Sequence, residues 1–479
     1  MSQSSISRRD LFGMSIGAAA MAGLAPLTFA KSAYASNESN LAPSALLDAE
    51  IYQSSIQKAF TFQETMMDAY AAGETVRLTQ SYSDQALGAT AFTYDNAVSI
   101  HAYLVRGRAD DLGRAAVLGN GLIYAQANNF PFNDGRFAQA YFVNVAATDG
   151  SGAFITPAAF PFFFYTSAVG DQAWAGMALA QLYRRIGNSK YLAAALKVAN
   201  WIVTNTYDTL GAGGYSFGTN INQFNESVPS TNGKSTEHNI DTYAFFTMLA
   251  ELTHNGNASN GMSWSNLAQH ALTFVIAMFN QTAGYFYTGT LGDQISINPS
   301  PIPEDCQTWS YLALLDNRYK QAIDWALANL QTTDTASATD SSLTGSETIT
   351  GMVFDTASLT TTAFDPNAVW LEGTAHTVAA LVARAATGRD SLPVLFKDLT
   401  TAFGFLNQIQ KAQSELGAGQ TVNGKVIPLG EGLLASTSVM DTGFGYTYGP
   451  SLHIAATGWY LIAALGGNPF QLGYASIRK

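Results

Sequence analysis

The stretches "TEHNIDTYAFFTMLAELT" (residues 236–253) and "WSNLAQHALTFVIAMF" (residues 264–279) decide the fold of this chain of 479 residues. In the first, Tyr243, Phe246, Leu249 and Ala250 recur at the three-to-four spacing of one helix face, and the second is apolar with the same period. Together they predict a pair of helices. The same unit lies upstream. Asp171–Ile186 carries Trp174, Met177, Ala178, Leu182 and Tyr183 on one face, and Tyr191–Val203 carries Leu192, Ala195, Leu196, Ala199 and Ile202. Between them Gly187-Asn188 reads as a helix stop and turn.

Further outward, "TYDNAVSIHAYLVRG" (93–107) is followed by "LGRAAVLGNGLIYAQ" (112–126), and "PEDCQTWSYLALL" (303–315) by "YKQAIDWALANLQ" (319–331). "WLEGTAHTVAALVARAA" (370–386) is followed in the same way by "PVLFKDLTTAFGFLNQIQ" (393–410). A last helix, "SLHIAATGWYLIAAL" (451–465), has no partner after it, but the early helix in residues 45–73 supplies one if the ends of the chain meet. The leading residues Asp95, Asp171, Glu237, Asp305, Glu372 and Ser451 recur at intervals of 66 to 79 residues. Six near-equal periods predict an all-α fold, an (α/α)6 barrel of twelve helices in two concentric rings, with the inner helices starting at those six residues.

The connections repeat as well. "DGRFAQAYF", "GGYSFG", "GYFYTG", "GMVFD" and "GKVIPLG" combine glycine with aromatic or β-branched residues and predict short strands or hairpins. Each precedes an inner helix, so all fall on one face, while connections such as "RIGNSK" and "TGRDSLP" on the other face are short and plain. The Ser/Thr-rich stretch Thr332–Ser346 reads as a long loop on the elaborate face. With these features the motifs "TYDNA", "GDQAW", "STEHNID" and "WLEGTAH" make the chain resemble the (α/α)6 toroids of six-hairpin glycosidases and their relatives. The resemblance implies carbohydrate chemistry in a central cleft.

Charged residues are only 12% of the chain, yet Glu237, His238 and Asp241 crowd into five positions. Ser235 or Thr236 with an acid behind it is also the pattern of an N-cap and a favourable helix dipole. Capping accounts for one acid and leaves Glu237 and Asp241, at i and i+4, repelling each other on one helix face. In the barrel the N-termini of all inner helices open on one mouth. Asp95, Asp171, Glu237, Asp241, Asp305 and Glu372 then surround a single cleft, with His238, His376 and His453 nearby. Aromatic residues accompany them: Tyr94, Trp174, Tyr243, Trp309, Trp370, Tyr446 and Tyr448. Acids hydrogen-bond sugar hydroxyls and aromatic faces stack on sugar C–H surfaces, although each aromatic taken alone is better read as core packing.

Hydrolysing a glycosidic bond needs a protonated carboxyl to assist the leaving oxygen and a carboxylate opposite it, set apart when a water attacks with inversion. Clustered acids raise one another's pKa and so keep one protonated. Glu237 is the expected acid and Asp95 the expected base, with Asp305 and Glu372 as alternative bases. Asp171, Trp174, His238, Asn239, Asp241, Tyr243, Trp309, Trp370, His376, Tyr446 and Tyr448 are the expected sugar-binding residues.

Two other readings use the same cleft. A polysaccharide lyase or sugar epimerase is implied by the resemblance, but a lyase must neutralise a substrate carboxylate, and Lys234 is the one cation that stands out at the inner helix starts. A non-catalytic glycan-binding protein is the third. No HExxH spacing points to a metal, so no metal or cofactor is expected, and phosphate-binding glycine loops and a G-x-S-x-G elbow are absent. Cys306, the only cysteine, reads as a small buried hydrophobe.

The chain begins with an address. Ser7-Arg8-Arg9-Asp10-Leu11-Phe12 has the twin-arginine form, an apolar stretch runs to Ala30, and Ala33-Tyr34-Ala35 is a small-x-small cleavage site. Residues 1–35 are therefore expected to be a signal peptide for the twin-arginine export machinery, and residues 36–479 one catalytic domain in the periplasm or outside the cell. The formal net charge of −12 repels phosphate backbones and anionic lipid, so nucleic acid and membrane surface are not expected partners. A carbohydrate is.

Overall fold

The computed structural model describes residues 52–473 except 71, 130–131, 144–166, 223–225, 337–340 and 388–390. The signal peptide read at residues 1–35 lies outside the described residues. Twelve α-helices run through the described chain. In order they are α1 (Gln53–Asp68), α2 (Thr93–Arg106), α3 (Ala109–Ala127), α4 (Val169–Ile186), α5 (Ser189–Thr206) and α6 (Thr236–Leu252). After these come α7 (Trp264–Ala277), α8 (Glu304–Leu314), α9 (Gln321–Asn329), α10 (Leu371–Ala386), α11 (Leu392–Glu415) and α12 (Ile454–Ala464).

The even-numbered helices form a closed inner ring: α2 packs on α4, α4 on α6, α6 on α8, α8 on α10, α10 on α12, and α12 back on α2. Each is backed by its odd-numbered partner, and α12 is backed by α1, so the first helix completes the last pair. This is the (α/α)6 barrel expected from the six periods. The inner helices are apolar or small on nearly every side, as a helix buried all round must be; in α12 every residue from Ile454 to Ala464 is buried. Close ring contacts need small residues. A Cβ on Gly176 of α4 would stand 2.2 Å from the ring of Phe245 on α6.

Local signals set the plain end of the barrel. Gly187 takes a left-handed conformation (φ 77°) and gives its N–H to Tyr183 O, ending α4. Asn188 then caps α5 by accepting from Lys190 N at 3.2 Å. The other end carries the strands. Thr90–Phe92 pairs with Ala140–Phe142, Gly218–Ile221 with Ser167–Ala168 and Ser227–Pro229, Phe279–Asn280 with Tyr285–Phe286, and Thr421–Val422 with Lys425–Val426. The Ser/Thr-rich stretch is not simply a loop: Gln331–Thr335 forms a five-residue antiparallel ladder with Thr348–Met352. Alternating Thr and buried Thr332 and Asp334 suit a half-buried strand, a period-two pattern masked by the stretch's polarity.

One further expectation is corrected. Ser451 does not start α12. Leu452–His453 pairs with Leu433–Leu434, and His453 is extended (φ −136°, ψ 129°), so the helix begins at Ile454 with His453 as its N-cap residue.

Candidate active site

Five inner helices carry an acid in the first turn: Asp95 in α2, Asp171 in α4, Glu237 in α6, Glu304 and Asp305 in α8, and Glu372 in α10. A helix N-terminus favours an acid there. It does not favour burying one, yet Asp95 and Asp305 are each 4% exposed, Glu372 is 2% exposed and Asp241 is wholly buried. Glu237 and Asp171 keep partial exposure. In α6 the cap is Ser235, whose hydroxyl accepts from His238 N at 3.3 Å. Glu237 is therefore free of that duty.

Glu372 sits at the centre of the polar contacts. The Tyr94 hydroxyl donates to its Oε1, and Trp459 Nε1 donates to the Tyr94 oxygen at 2.8 Å. His376 Nε2 lies 3.6 Å from Oε1 and His453 Nδ1 lies 3.7 Å from Oε2, ion-pair contacts too long for hydrogen bonds, so Oε2 is buried with no hydrogen-bond partner. Each histidine is tied on its other nitrogen: His453 Nε2 to Asp95 Oδ2 at 3.1 Å, and His376 Nδ1 to Glu304 Oε2 at 3.2 Å. Tyr82 stacks flat on His453, with centroids 4.2 Å apart.

Under this network the barrel axis is filled by aromatic rings. Trp174 lies 5.1 Å from Trp309 and 5.7 Å from Trp459, Trp309 stacks on Trp459 at 5.9 Å, and Phe470 closes on both Trp174 and Trp309. Pairs of this kind contribute about 0.5–1.5 kcal/mol each beyond their buried area. These packed rings lie directly against the polar network, through the Trp459–Tyr94 hydrogen bond and the His376–Trp459 contact.

The carboxyls divide by environment. Burial, with the charges of Asp305, Asp171 and Glu372, pushes Glu237 well above the usual glutamate range. Burial and Glu237 do the same to Asp241, against a weaker opposing effect of the Trp174 indole, whose N–H reaches no hydrogen-bond geometry. Asp171 is raised well above its ordinary value by burial and by Asp95. Asp305 is pushed up to about 7 by burial and the neighbouring Glu304, although it accepts the Cys306 N–H. Glu372 goes the other way: burial raises it, but His376, His453 and Tyr94 together hold it below the usual range. His376 is brought down by burial and carried up to about 9 by Glu304 and Glu372.

The residues expected from the sequence do not all meet. Asp95, Asp171, Glu237, Asp241, Asp305, Glu372 and His376 converge, with Trp174 and Trp309 beneath them. Trp370 leads α10, stacks on Tyr448 at 6.1 Å, packs at a tilt against Phe354 at 4.7 Å, and lies 5.1 Å from His376. Tyr448 and the exposed Tyr446 ride on the Met440–Tyr448 hairpin at the rim. Three residues go elsewhere. Asn239 is consumed by the backbone, accepting from Tyr215 N and donating to Tyr215 O and Ser235 O. Tyr243 packs on the core and lies near Asp316, beyond the far end of α8. His238 packs against Phe217 and Gly170 of α4, and burial lowers its pKa to about 4. Lys234 faces away from the acids: its Nζ is buried against Asp208 at 2.7 Å and the carbonyls of Leu210 and Gly213.

Sequence reasoning missed Glu304, Tyr82, Trp459 and Asp355. Glu304 stands beside Asp305 in "PED", where one acid is enough to satisfy a dipole argument. Tyr82 lies in an aperiodic stretch. Trp459 is one apolar residue in an apolar helix, and only its contact with Tyr94 distinguishes it. Asp355 lies in a turn, where its Oδ1 accepts from Ala357 N and Ser358 N and burial pushes it up to about 7. Among the described residues no group of three or more His, Cys, Asp or Glu side chains is arranged to hold a metal ion, and no helix is long and apolar enough to cross a membrane.

No family model matches the chain, and no curated protein matches it. Solved structures with a similar fold include a family 76 α-mannanase of Bacteroides thetaiotaomicron, 13% identical, with a TM-score of 0.52 over 88% of this chain and 98% of that one. A D-mannose isomerase is 13% identical, with a TM-score of 0.56 over 87% and 96% of the two chains. The cellobiose 2-epimerase of Spirochaeta thermophila is 10% identical, with a TM-score of 0.54 over the same shares. At these identities the likeness shows the fold alone, an (α/α)6 barrel.

Proposed function

We propose that this protein is a glycoside hydrolase that cleaves an oligo- or polysaccharide in the acidic cleft, with Glu237 as the general acid and Glu372 as the carboxylate that activates water. One observation carries the reading: two carboxyls of one cleft have environments that drive their pKa values apart, the pattern of an acid–base pair. Glu372 replaces Asp95 as the base, because Asp95 is hydrogen-bonded to His453 whereas Glu372 Oε2 has no hydrogen bond. Glu237 and Glu372 lead α6 and α10, with α8 between them, and the proposed course is inversion, with a water activated by Glu372. Asp171, Tyr94, Tyr448 and Tyr446 are the exposed or part-exposed groups that would meet sugar hydroxyls and faces. The protein would act beyond the cytoplasmic membrane, since Arg8-Arg9 and Ala33-Tyr34-Ala35 have the form of a twin-arginine leader.

Epimerisation or isomerisation of a sugar is the second reading. It is favoured by His376 and His453 flanking Glu372, each with one ring nitrogen that makes no hydrogen bond. Incubation with a panel of neutral and uronate-bearing glycans separates the readings. New reducing ends without ultraviolet absorbance mean hydrolysis, and absorbance from an unsaturated product means elimination. A changed sugar without new ends means epimerisation or isomerisation, and binding without turnover means a lectin-like protein.

A further inference from the structure

We propose that Glu304 is a positioning residue that fixes the His376 ring between itself and Glu372, so that His376 acts as the standing cation beside the base. The inference rests on Glu372 being the water-activating carboxylate. Glu304 is fully buried at the start of α8, and both of its oxygens are committed to α10: Oε2 to His376 Nδ1 at 3.2 Å and Oε1 to the Thr377 hydroxyl at 2.7 Å. It reaches no cleft surface. A seam between two inner helices is sealed at lower cost by apolar side chains, because a buried carboxylate loses hydration that its partners only partly restore. Something other than packing is therefore needed to account for it.

The geometry supplies a reason. A carboxylate at Nδ1 selects the tautomer that carries its proton there. In a neutral ring with that tautomer, Nε2 would turn a lone pair toward Glu372 Oε1, 3.6 Å away, and two electron-rich groups would face each other. An imidazolium presents an N–H to each carboxylate instead. The groups around the ring agree with this: Glu304 and Asp305 approach from α8, Glu372 from α10, and Trp309, Trp370 and Trp459 enclose it at 5.0, 5.1 and 4.3 Å. On the far side of Glu372 stand Tyr94 and His453, the latter held by Asp95. Fixing His376 in this state keeps Glu372 ionised at mildly acid pH.

The test is the pH dependence of kcat/KM for the purified chain on whichever glycan of the panel it cleaves. Glu304→Gln keeps the shape and a partner for Thr377 but removes the charge. The acidic limb, which reports ionisation of Glu372, is expected to move up by about one pH unit, with activity at the optimum reduced less than tenfold. His376→Gln should move the same limb by a similar amount, and in that background Glu304→Gln should add nothing further. If Glu304→Gln does not fold, the His376→Gln profile alone decides. An acidic limb unmoved in both variants, or effects that add in the double variant, overturns the proposal. Glu372→Gln is the control for the reading beneath it: full activity in that variant would remove the base assignment itself, whatever Glu304 does.

Discussion

At the scale of the residue, Glu237 carries the most. Its exchange for Gln keeps the shape and removes the transferable proton, so turnover should fall roughly 10²–10⁴-fold while glycan affinity stays nearly intact. Thermal stability should hold, because the raised Glu237 is protonated in the fold and its exchange for Gln removes no charge from the α6 face. Initial rates, a binding titration and a melting curve check this together; full activity with a melting temperature lower by several degrees would make Glu237 a helix-stabilising acid only. The sequence singles this residue out because a helix cap uses one acid and the i, i+4 pair leaves one unexplained, and its role as the acid is what these measurements decide. Asn239 and Tyr243 were read from the same turn and face elsewhere, since the sequence shows the face of a helix but not the neighbour that face meets. Asn239 has Tyr215 for a neighbour, from a strand-forming segment 24 positions earlier. Glu304 was invisible for the opposite reason: its partners, His376 and Thr377, are 72 and 73 positions away.

At the scale of the element, the helices were legible and their contacts were not. Period, glycine stops and the even spacing of six leading residues are local properties, and they yield the ring. The close approach of α4 to α6 depends on Gly176 meeting Phe245, which periodicity cannot report. Gly176→Ala gains helix propensity of about 1 kcal/mol but forces the aromatic ring aside, and overpacking of this kind costs about 1–3 kcal/mol or more. Net destabilisation is expected, visible as an earlier midpoint in chemical denaturation, and an unchanged or later midpoint would mean that the seam is loose. Lys234 makes the same point for the turns. It stood out as a cation near the mouth, but its ammonium pins the Asp208–Gly213 turn to the segment leading into α6. Lys234→Met should cost about 3–5 kcal/mol, the penalty for breaking a buried pair from one side. Its activity per folded molecule should be unchanged, and a selective loss of activity would bring Lys234 back into the cleft chemistry.

At the scale of the molecule, the acidic cleft couples stability to pH. Glu237, Asp171, Asp241, Asp305 and Asp355 have raised folded-state pKa values. A carboxyl raised on folding holds its proton in the native state after the unfolded chain has released it. Its effect on stability is absent below the unfolded pKa and grows more adverse as pH rises toward the folded value. His376, raised from 6.5 to about 9, acts in the same direction: its contribution is fully present below 6.5 and lost by about 9. Glu372, lowered on folding, contributes above its unfolded pKa and loses that contribution as pH falls. His101 and His238, lowered by burial to about 3 and about 4, likewise give up stability as pH drops below 6.5. With Asp334, Glu431 and His453 also raised, and Asp68, Asp84, Asp134 and Asp293 lowered by their hydrogen bonds and ion pairs, seven carboxyls and two histidines among the described residues oppose high pH, and five carboxyls and two histidines oppose low pH. Discounting Glu237 and Asp171 for their partial exposure leaves the sign unchanged. The melting temperature should therefore be higher at about pH 5 than at about pH 9. Asp241 provides the specific check, because it is wholly buried and neither of its oxygens has a hydrogen-bond partner. Asp241→Asn should change the melting temperature little at the acid end, where the carboxyl is already protonated, and raise it at the alkaline end. A variant whose two melting temperatures shift equally would mean that Asp241 is charged in the folded protein, and that the cleft is wetter than its burial implies.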